Sequence, residues 1–305
     1  MTCVIVQPIH EAGLNVLRAA GIEALIAPST DLADLAPLLS GARAVVTRNW
    51  GFPAEAVALS PRLEVVGVHG AGIDRIAQDA LTARGIALVS TPGANAQSVA
   101  EHALGLMLSV ARGIPAGDEA MRAGDFGFRE RFRGMELSGL CLGLWGWGGV
   151  SRVFAPMAQA LGMEVLVFSG HADAGDLAAR RISRAESLDE LLANADVLSL
   201  HGRPGAGPVL GAAEISRMRA AAILVNTARG ALVEEAALAD ALRAGRLFGA
   251  GLDVLSIEPP RPDTPLAGCP RLVLTPHVGG TTEAALRRTA QEVARRVVSV
   301  LGRAR

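Results

Sequence analysis

The architecture of this 305-residue chain can be read outward from one segment, Leu140-Cys-Leu-Gly-Leu-Trp-Gly-Trp-Gly-Gly-Val-Ser-Arg152. The apolar run 140–144 predicts a short buried strand, and residues 153–161, which end at a glycine, predict a helix. Three glycines between them leave a turn with little side-chain bulk: Gly146, Gly148 and Gly149. A strand, a glycine turn and a helix let the backbone approach a pyrophosphate closely and direct the helix N-terminus at it.

The glycine pattern of this turn is incomplete. Gly146 and Gly148 take the first and third positions of the nucleotide-binding turn, but Ser151 takes the sixth. Because serine is small, we expect the helix to pack closely on the strand despite the exchange. A crowded strand-to-helix turn that binds no nucleotide also favours glycine, so the rest of the chain has to decide between the two interpretations.

Composition excludes several classes of function. The formal net charge is −1, which predicts neither nucleic acid nor an acidic membrane surface as a partner. The chain contains no lysine and no tyrosine. It therefore has no lysine for a Schiff base or a phosphate loop, and no Tyr–Lys pair for a proton relay. Acid–base chemistry has to use His, Asp, Glu or Cys.

The cysteines and the apolar segments predict a cytoplasmic protein without a metal site. Cys3, Cys141 and Cys269 are odd in number and widely spaced, so they suggest neither a ligand cluster nor a disulfide framework. The first residues predict a strand rather than a signal peptide. The longest apolar helix candidate, residues 103–111, is too short to cross a bilayer.

Strand and helix signals alternate along most of the chain, which predicts an α/β protein with two doubly wound parallel-sheet domains. Helices are expected at residues 10–20, 31–39, 75–84, 96–112, 188–193, 234–244 and 281–301. Strands are expected at residues 3–7, 22–26, 44–47, 63–68 and 86–90, and again at 140–144, 164–168, 197–201, 223–227, 249–254 and 272–275. Residues 117–136, with four arginines and three phenylalanines, interrupt the alternation and predict an exposed arm. This arm is either a solvated loop or a partner-binding segment.

In such sheets ligands bind beyond the carboxyl ends of the strands. Three residues that follow separate predicted strands could form a reaction centre: a cation (Arg229), a carboxylate (Glu258) and an imidazole (His277). Each also has a structural interpretation, as a salt bridge at a helix start, a turn acid and a satisfied loop histidine. The other polar residues at strand ends are His69 to Asp74, Ser169, His201, Thr227 and Asp253.

Several ordered segments resemble the D-isomer-specific 2-hydroxyacid dehydrogenases. They are Gly70-Ala-Gly-Ile-Asp74, Thr91-Pro-Gly, Ser98-Val-Ala-Glu-His102, Ala195-Asp-Val-Leu-Ser-Leu-His201, Ile223-Leu-Val-Asn-Thr-Ala-Arg229-Gly, Leu252-Asp-Val with Glu258-Pro259, and Thr275-Pro-His277-Val-Gly-Gly280. The resemblance runs from about residue 66 to 282. It implies an NAD(P)-dependent oxidoreductase that transfers a hydride between nicotinamide and C2 of a small D-2-hydroxy or 2-oxo acid, as in glyoxylate/hydroxypyruvate reductases and phosphoglycerate dehydrogenases.

The resemblance also implies roles for individual residues. Histidine exchanges protons near neutral pH, so His277 would donate the proton, with Glu258 orienting its ring. Arg229 would hold the carbonyl and carboxylate of the substrate, which its planar fork suits. The substrate would also meet the loop formed by His69, Gly70, Ala71 and Gly72. Cofactor contacts are expected from Gly146, Trp147, Gly148, Gly149, Val150, Ser169, His201, Thr227, Asp253 and Gly279, with Asp253 at the nicotinamide carboxamide.

One position departs from the NAD-binding pattern. Members that prefer NAD carry an acid about 20 residues after the first glycine, to bind the ribose 2′-OH. Here Ser169, Gly170 and His171 occupy that place. An acid would repel a 2′-phosphate, whereas serine and histidine could bind one, so the sequence favours NADP weakly over NAD. Arg152, Arg180 and Arg203 are candidate cations for that phosphate.

The resemblance implies a discontinuous, flavodoxin-like substrate domain, residues 1–95 and 282–305, and a Rossmann-type nucleotide domain, residues 96–281. It also implies a homodimer in which residues 117–136 reach across. Two rival functions stay open: an NAD(H)-sensing, corepressor-like binding protein, and a dehydrogenase of a phosphorylated or sulfonated 2-hydroxy acid. The second would need extra cations near the substrate loop, where Arg48 and Arg75 are the candidates.

Overall fold

The structure, a computed structural model, describes residues 1–203, 205 and 207–303. Its strands are β1 Thr2–Ile5, β2 Glu23–Ile26, β3 Ala44–Thr47, β4 Val65–Val68, β5 Ala87–Ser90, β6 Cys141–Trp145, β7 Glu164–Phe168, β8 Ser183–Arg184, β9 Val197–Leu200, β10 Ile223–Asn226, β11 Gly249–Leu252 and β12 Leu272–Leu274. Its helices are α1 Glu11–Ala19, α2 Leu32–Leu39, α3 Ala54–Ala58, α4 Gln78–Ala83, α5 Ala96–Arg112, α6 Ile114–Arg122, α7 Phe128–Arg131, α8 Gly149–Ala160, α9 Ala174–Ala179, α10 Leu188–Asn194, α11 Ala212–Arg217, α12 Glu235–Arg243 and α13 Glu283–Arg303, with a 3-10 turn at Gly230–Leu232.

The chain divides into two units. Unit 1 comprises Met1–Ala96 and Gly280–Arg305, and unit 2 comprises Gln97–Gly279. The final two positions of the expected closing segment, 304 and 305, lie outside the described residues. Each unit contains one sheet in which the paired strands run parallel.

Unit 1 has the strand order β2-β1-β3-β4-β5, which is the flavodoxin-like order. Its strands β3 and β4 are wholly buried, as their apolar sequences predict for a sheet covered on both faces. The C-terminal helix α13 packs on this sheet because Gly67 leaves room for it. A Cβ at Gly67 would lie 2.8 Å from a methyl carbon of Val293.

Unit 2 has the strand order β12-β11-β10-β9-β6-β7-β8. Counted from β6, this is the Rossmann order with an additional strand at the β12 edge. Helix α5 approaches β11 closely, since a Cβ at Gly251 would lie 2.9 Å from the Cβ of Leu106. The predicted fold, two doubly wound α/β sheets, is confirmed.

Two predicted helix starts are wrong. Helix α8 begins at Gly149, four residues before the predicted start, because the turn glycines themselves enter its first turn. The expected helix 75–84 begins only at Gln78. Residues 117–136 are mostly exposed, as predicted, and they carry the end of α6 and all of α7, which the sequence pattern did not indicate. Helix α7 is only four residues long, too short to show a helical period, and Phe128 stacks on Phe132 with ring centroids 5.2 Å apart.

Candidate active site

The glycine turn after β6 is built for close approach. Gly146 has a φ of 97°, and a Cβ there would lie 2.8 Å from the backbone nitrogen of Gly202. Ser151 is buried, and its hydroxyl donates to the carbonyl of Gly146 at 2.7 Å, so serine closes the turn from inside. A Cβ at Gly148 would meet no atom of the described residues within 4 Å. The turn therefore leaves open space in front of α8, and this fits a pyrophosphate at the N-terminus of that helix.

The two tryptophans beside these glycines have structural partners. The Trp147 indole N–H donates to the Asp176 carboxylate at 2.7 Å, and the Arg152 guanidinium lies 5.3 Å from the Trp147 ring centroid. Trp145 packs on Gly202, where a Cβ would lie 2.2 Å from its ring. The side chain of Trp147 is therefore buried beneath the turn, and a cofactor contact from this residue would have to use its backbone.

Two arginines, one on α8 and one at the end of α9, share the carboxylate of Asp176, and no acid follows β7 directly. Asp176 accepts hydrogen bonds from both Arg152 and Arg180. The Arg180 and Trp147 bonds and the Arg152 charge lower the pKa of Asp176. Asp173 caps α9 by accepting from the Asp176 amide at 2.8 Å. Both acids that follow Ser169 are thus engaged within the protein.

Two expected cofactor residues follow β9 and β10. The Thr227 hydroxyl oxygen is buried and has no hydrogen-bond partner among the described residues. Such an orphaned polar atom is uncommon and fits a site that a ligand completes. His201 bonds through Nε2 to the Ser199 hydroxyl at 2.9 Å, and burial lowers the pKa of His201 to about 4. Its imidazole is therefore neutral at physiological pH.

Arg229 stands on a tightly held turn after β10. The Asn226 side chain donates to the Arg229 carbonyl at 2.8 Å and accepts from the Ala228 amide at 3.0 Å. The next residue, Gly230, packs on the backbone of Leu255, and a Cβ there would lie 1.9 Å from the Leu255 carbonyl carbon. Glycine at position 230 thus brings the loop that carries Glu258 against the turn that carries Arg229.

Glu258 and His277 form a hydrogen-bonded pair. Glu258 Oε2 lies 2.9 Å from His277 Nδ1, while its Oε1 accepts from the Leu255 amide at 3.1 Å. A carboxylate only accepts, so Nδ1 carries the proton, and proton exchange with a substrate would use Nε2. The His277 side chain is 37% exposed and that of Glu258 25%, so the ring is oriented and still accessible.

Asp253, which follows β11, holds the segment that contains His277. Its carboxylate is 2% exposed and accepts from the Thr275 hydroxyl at 2.6 Å and from the amides of Val278 and Gly279 at 2.8 Å each. Burial raises the pKa of Asp253, but the bonds from His102, Thr275 and the two amides outweigh it and lower the pKa overall. These bonds engage both carboxylate oxygens of Asp253. The contact of Asp253 with the nicotinamide carboxamide stays a prediction.

The sequence alone assigns no role to His102. It lies within α5, and its Nε2 is 2.9 Å from the Thr275 hydroxyl and 3.2 Å from Asp253 Oδ1. The motif Ser98-Val-Ala-Glu-His102 was visible in the sequence, but its spacing from Asp253 gives no indication of contact. The partner follows a strand about 150 positions later, and only the fold brings the two together.

In unit 1 the expected substrate loop follows β4. His69 Nε2 is buried and has no hydrogen-bond partner among the described residues. Burial, and secondly the charge of Arg48, lower the pKa of His69 to about 4. The Gly70 amide already donates to the Thr91 hydroxyl at 2.9 Å, so a substrate carboxylate would have to meet the amides of Ala71 and Gly72. Arg48 follows β3, the strand beside β4.

Residues 104–279 match the family model described as D-isomer specific 2-hydroxyacid dehydrogenase, NAD binding domain. The chain belongs to this family. The family inferred from the ordered motifs is thus confirmed, and the matched residues lie within unit 2. No helix in the described part of the chain is long and apolar enough to cross a membrane. No cluster of His, Cys, Asp and Glu suited to a metal ion occurs among the described residues.

Relatives within the family differ in length and in named substrate. An (S)-sulfolactate dehydrogenase of Chromohalobacter salexigens is 39% identical over 82% of this chain and 82% of its own length. A D-3-phosphoglycerate dehydrogenase of Archaeoglobus fulgidus is 33% identical over 98% of this chain, but only 57% of that protein is covered. The chain spans about half the length of the curated relatives that it matches first. A glyoxylate reductase structure from Paecilomyes thermophila is 29% identical, with a TM-score of 0.88, over 98% of this chain and 94% of the other.

Proposed function

We propose that this chain is an NAD(P)-dependent oxidoreductase that transfers a hydride between nicotinamide and C2 of a small D-2-hydroxy or 2-oxo acid. The observation that carries the proposal is the bond between Glu258 and His277 at the carboxyl edge of the unit 2 sheet. A carboxylate-oriented imidazole with an accessible second nitrogen is suited to give a proton to a developing alkoxide. The presence of Arg229, Glu258 and His277 together favours an enzyme over the rival nucleotide-sensing protein, although corepressors that resemble this family can keep the same three residues.

The nucleotide would bind in unit 2. The turn Gly146–Val150 and the start of α8 would hold the pyrophosphate, with Ser169 near the ribose. His201, Thr227, Asp253 and Gly279 lie at or beyond the ends of later strands of the same sheet. When bound, the nicotinamide supplies the hydride, and this chemistry belongs to the cofactor.

The protein's own groups would orient the 2-oxo acid and move the proton. The Arg229 guanidinium would bind the carbonyl and carboxylate of the substrate, and its charge would stabilise the oxygen as it becomes anionic. His277 would donate from Nε2 to that oxygen. Glu258 would stabilise the ring through Nδ1 and keep it pointed at the substrate. In unit 1, the amides of Ala71 and Gly72 stay predicted contacts of a substrate carboxylate.

We propose a preference for NADP. The support is the absence of an acid at Ser169 and the engagement of Asp173 and Asp176 with other groups of the protein. Neither acid would then repel a 2′-phosphate, and Arg152 and Arg180 stand beside Asp176. Comparing kcat/KM for NADPH and NADH tests this preference, and a clear advantage for NADH would contradict it.

A second substrate class has its own support in unit 1. Arg48 follows β3, which pairs with the strand that precedes the expected substrate loop, and its charge contributes to the lowered pKa of His69 in that loop. Gln7 fixes this position by accepting from the amides of Arg48 and Trp50. A substrate with a second acidic group, phosphorylated or sulfonated, would pair with this guanidinium.

We also propose a homodimer and a reducing, cytoplasmic location. Residues 117–136 expose the large apolar side chains of Met121 and Phe126, and Ile114 is exposed shortly before them; a second copy would cover these side chains. All three cysteines are free thiols in the structure. A monomeric mass by light scattering at micromolar concentration would contradict the dimer.

The function is tested by a substrate screen. Glyoxylate, hydroxypyruvate, pyruvate, phenylpyruvate and a phosphorylated or sulfonated 2-oxo acid are each supplied with NADH and NADPH, and cofactor absorbance is followed. His277→Ala should lower kcat about 10²- to 10⁴-fold, the usual contribution of a general acid. His10→Ala is the control, since it removes an imidazole that caps α1 in unit 1. Undiminished turnover in His277→Ala would refute the proton-donor assignment, and no turnover with any 2-oxo acid would refute the function.

A further inference from the structure

His102 joins the Thr275–Gly279 segment through hydrogen bonds whose directions can be assigned. The Thr275 hydroxyl has one proton, and it lies 2.6 Å from Asp253 Oδ1, which can only accept. The same hydroxyl oxygen lies 2.9 Å from His102 Nε2 and therefore accepts from it. Because Asp253 Oδ1 is also only 3.2 Å from Nε2, this nitrogen must carry a proton. His102 is thus a donor to both groups.

Two glycines in unit 2, Gly251 and Gly279, leave room for the His102 ring beside Asp253. Gly251 admits the backbone of α5 against β11, with Leu106 at the point of contact. His102 lies one turn before Leu106, and Asp253 lies just beyond the end of β11. At the other side, a Cβ at Gly279 would lie 2.9 Å from Asp253 Oδ2 and 3.4 Å from His102 Cδ2. The ring, the carboxylate and the chain at Gly279 are therefore packed in direct contact.

The bonds that this cluster makes bracket His277 on both sides. Thr275 precedes His277 and bonds to the Asp253 carboxylate, while the amides of Val278 and Gly279 follow it and bond to the same carboxylate. His277 itself donates its amide to the Asp253 carbonyl at 2.9 Å. Its φ is 55°, a left-handed conformation that a residue with a side chain rarely adopts. Such a conformation persists when its surroundings determine it, as they do here.

We propose that His102 is a positioning residue that acts through Thr275 and Asp253 to hold His277 in the orientation from which it meets Glu258 and the substrate. The inference rests on the proposed function for its catalytic consequence, but the orientation of the ring can be measured without turnover. The hydrogen bonds of His102 go to Thr275 and Asp253, and its effect passes through these two groups, which bracket His277.

The test uses three variants of the full chain. His102→Leu removes the donor and keeps comparable bulk, His102→Gln restores a side-chain N–H, and Glu101→Ala changes the adjacent exposed residue on α5. We expect His102→Leu to lower kcat about 10- to 100-fold, the loss that follows a misplacement on the order of 1 Å. KM for the 2-oxo acid should change less than about threefold, because the effect passes through the orientation of His277 rather than through the groups that bind the acid. His102→Gln should recover to within about fivefold of the parent kcat, and Glu101→Ala should match it.

Nitrogen-15 NMR of the histidine rings supplies the second measurement. In the parent, His277 should show a protonated Nδ1, and His102→Leu should shift and broaden the His277 ring signals while Glu101→Ala leaves them unchanged. A parent-like kcat and an unchanged His277 spectrum in folded His102→Leu would overturn the proposal. A fall in kcat with an unchanged His277 spectrum would also overturn it, because the loss would then have another cause. If the parent turns over no 2-oxo acid, the proposed function fails while the NMR result still decides the positioning role.

Discussion

Replacing Glu258 by glutamine tests the central pair directly. The change keeps the shape of the side chain and removes its charge. The bond to His277 Nδ1 is 2.9 Å long, between a ring that is 37% exposed and a carboxylate that is 25% exposed. A hydrogen bond to a charged group contributes about 1.5–3 kcal/mol to stability, and solvent at both partners screens the charge, so we expect a loss of about 1–2 kcal/mol. At 1.36 kcal/mol for each factor of ten, kcat should fall about 5- to 30-fold.

The assay is steady-state reduction of the best 2-oxo acid from the screen, with Glu258→Gln made in the parent and in the His277→Ala background. Glu235→Gln serves as the matched control. Glu235 holds the same loop by accepting from the amide and hydroxyl of Ser256, at 2.7 and 2.8 Å, but makes no bond to the imidazole. We expect this control to change kcat less than about threefold.

Non-additivity is the decisive result. If Glu258 acts through the ring of His277, Glu258→Gln should lower kcat only slightly in the His277→Ala background. An equal fall in kcat in both backgrounds would refute the reasoning, because Glu258 would then act on something other than the imidazole. A fall in Glu235→Gln as large as that in Glu258→Gln would also refute it, since general loosening of the loop would explain both.

Three further predictions concern stability and substrate choice. Gly230→Ala should destabilise unit 2 by about 1–3 kcal/mol in chemical denaturation, because its Cβ would overlap the Leu255 carbonyl carbon; an unchanged midpoint would show that the two loops can separate. Burial lowers the pKa of His201 to about 4, so the unfolded chain, with an ordinary value near 6.5, takes up a proton first as the pH falls. The free energy of unfolding should therefore fall by up to about 3 kcal/mol between pH 6.5 and 4 and then level off. His201→Gln should remove this contribution to the pH dependence, while the similar contribution of His69 remains. Equal pH profiles in the variant and the parent would contradict the assignment to His201. Arg48→Gln should raise KM for a phosphorylated or sulfonated 2-oxo acid at least about tenfold and alter KM for glyoxylate much less; equal changes for both would exclude a distal anion contact.

The alternation of apolar strands with helices was sufficient to predict both sheets apart from the two-residue strand β8, because that pattern is local and repeats with a fixed period. The glycine turn at Gly146 could also be predicted from the sequence, because the strand, the glycines and the helix that define it are adjacent along the chain. Arg229, Glu258 and His277 could be singled out because each follows a strand, and in a parallel sheet strand ends share one edge. These are properties of sequence neighbours or of chain order, which a linear pattern preserves.

The partners of these groups depended on the tertiary structure. The contact of His102 with Asp253 requires α5 to lie against β11, and the reason it can do so is the absence of a side chain at Gly251. Likewise, Trp147 bonds to Asp176 and Gly230 packs on Leu255, and the sequence separations of these pairs follow neither the helical nor the strand period. The order of strands along the chain therefore determined which side chains reach the carboxyl edge of the sheet. Close packing between helices and loops determined which of these side chains form hydrogen bonds with each other. That packing depends on the volumes of residues that are distant in sequence.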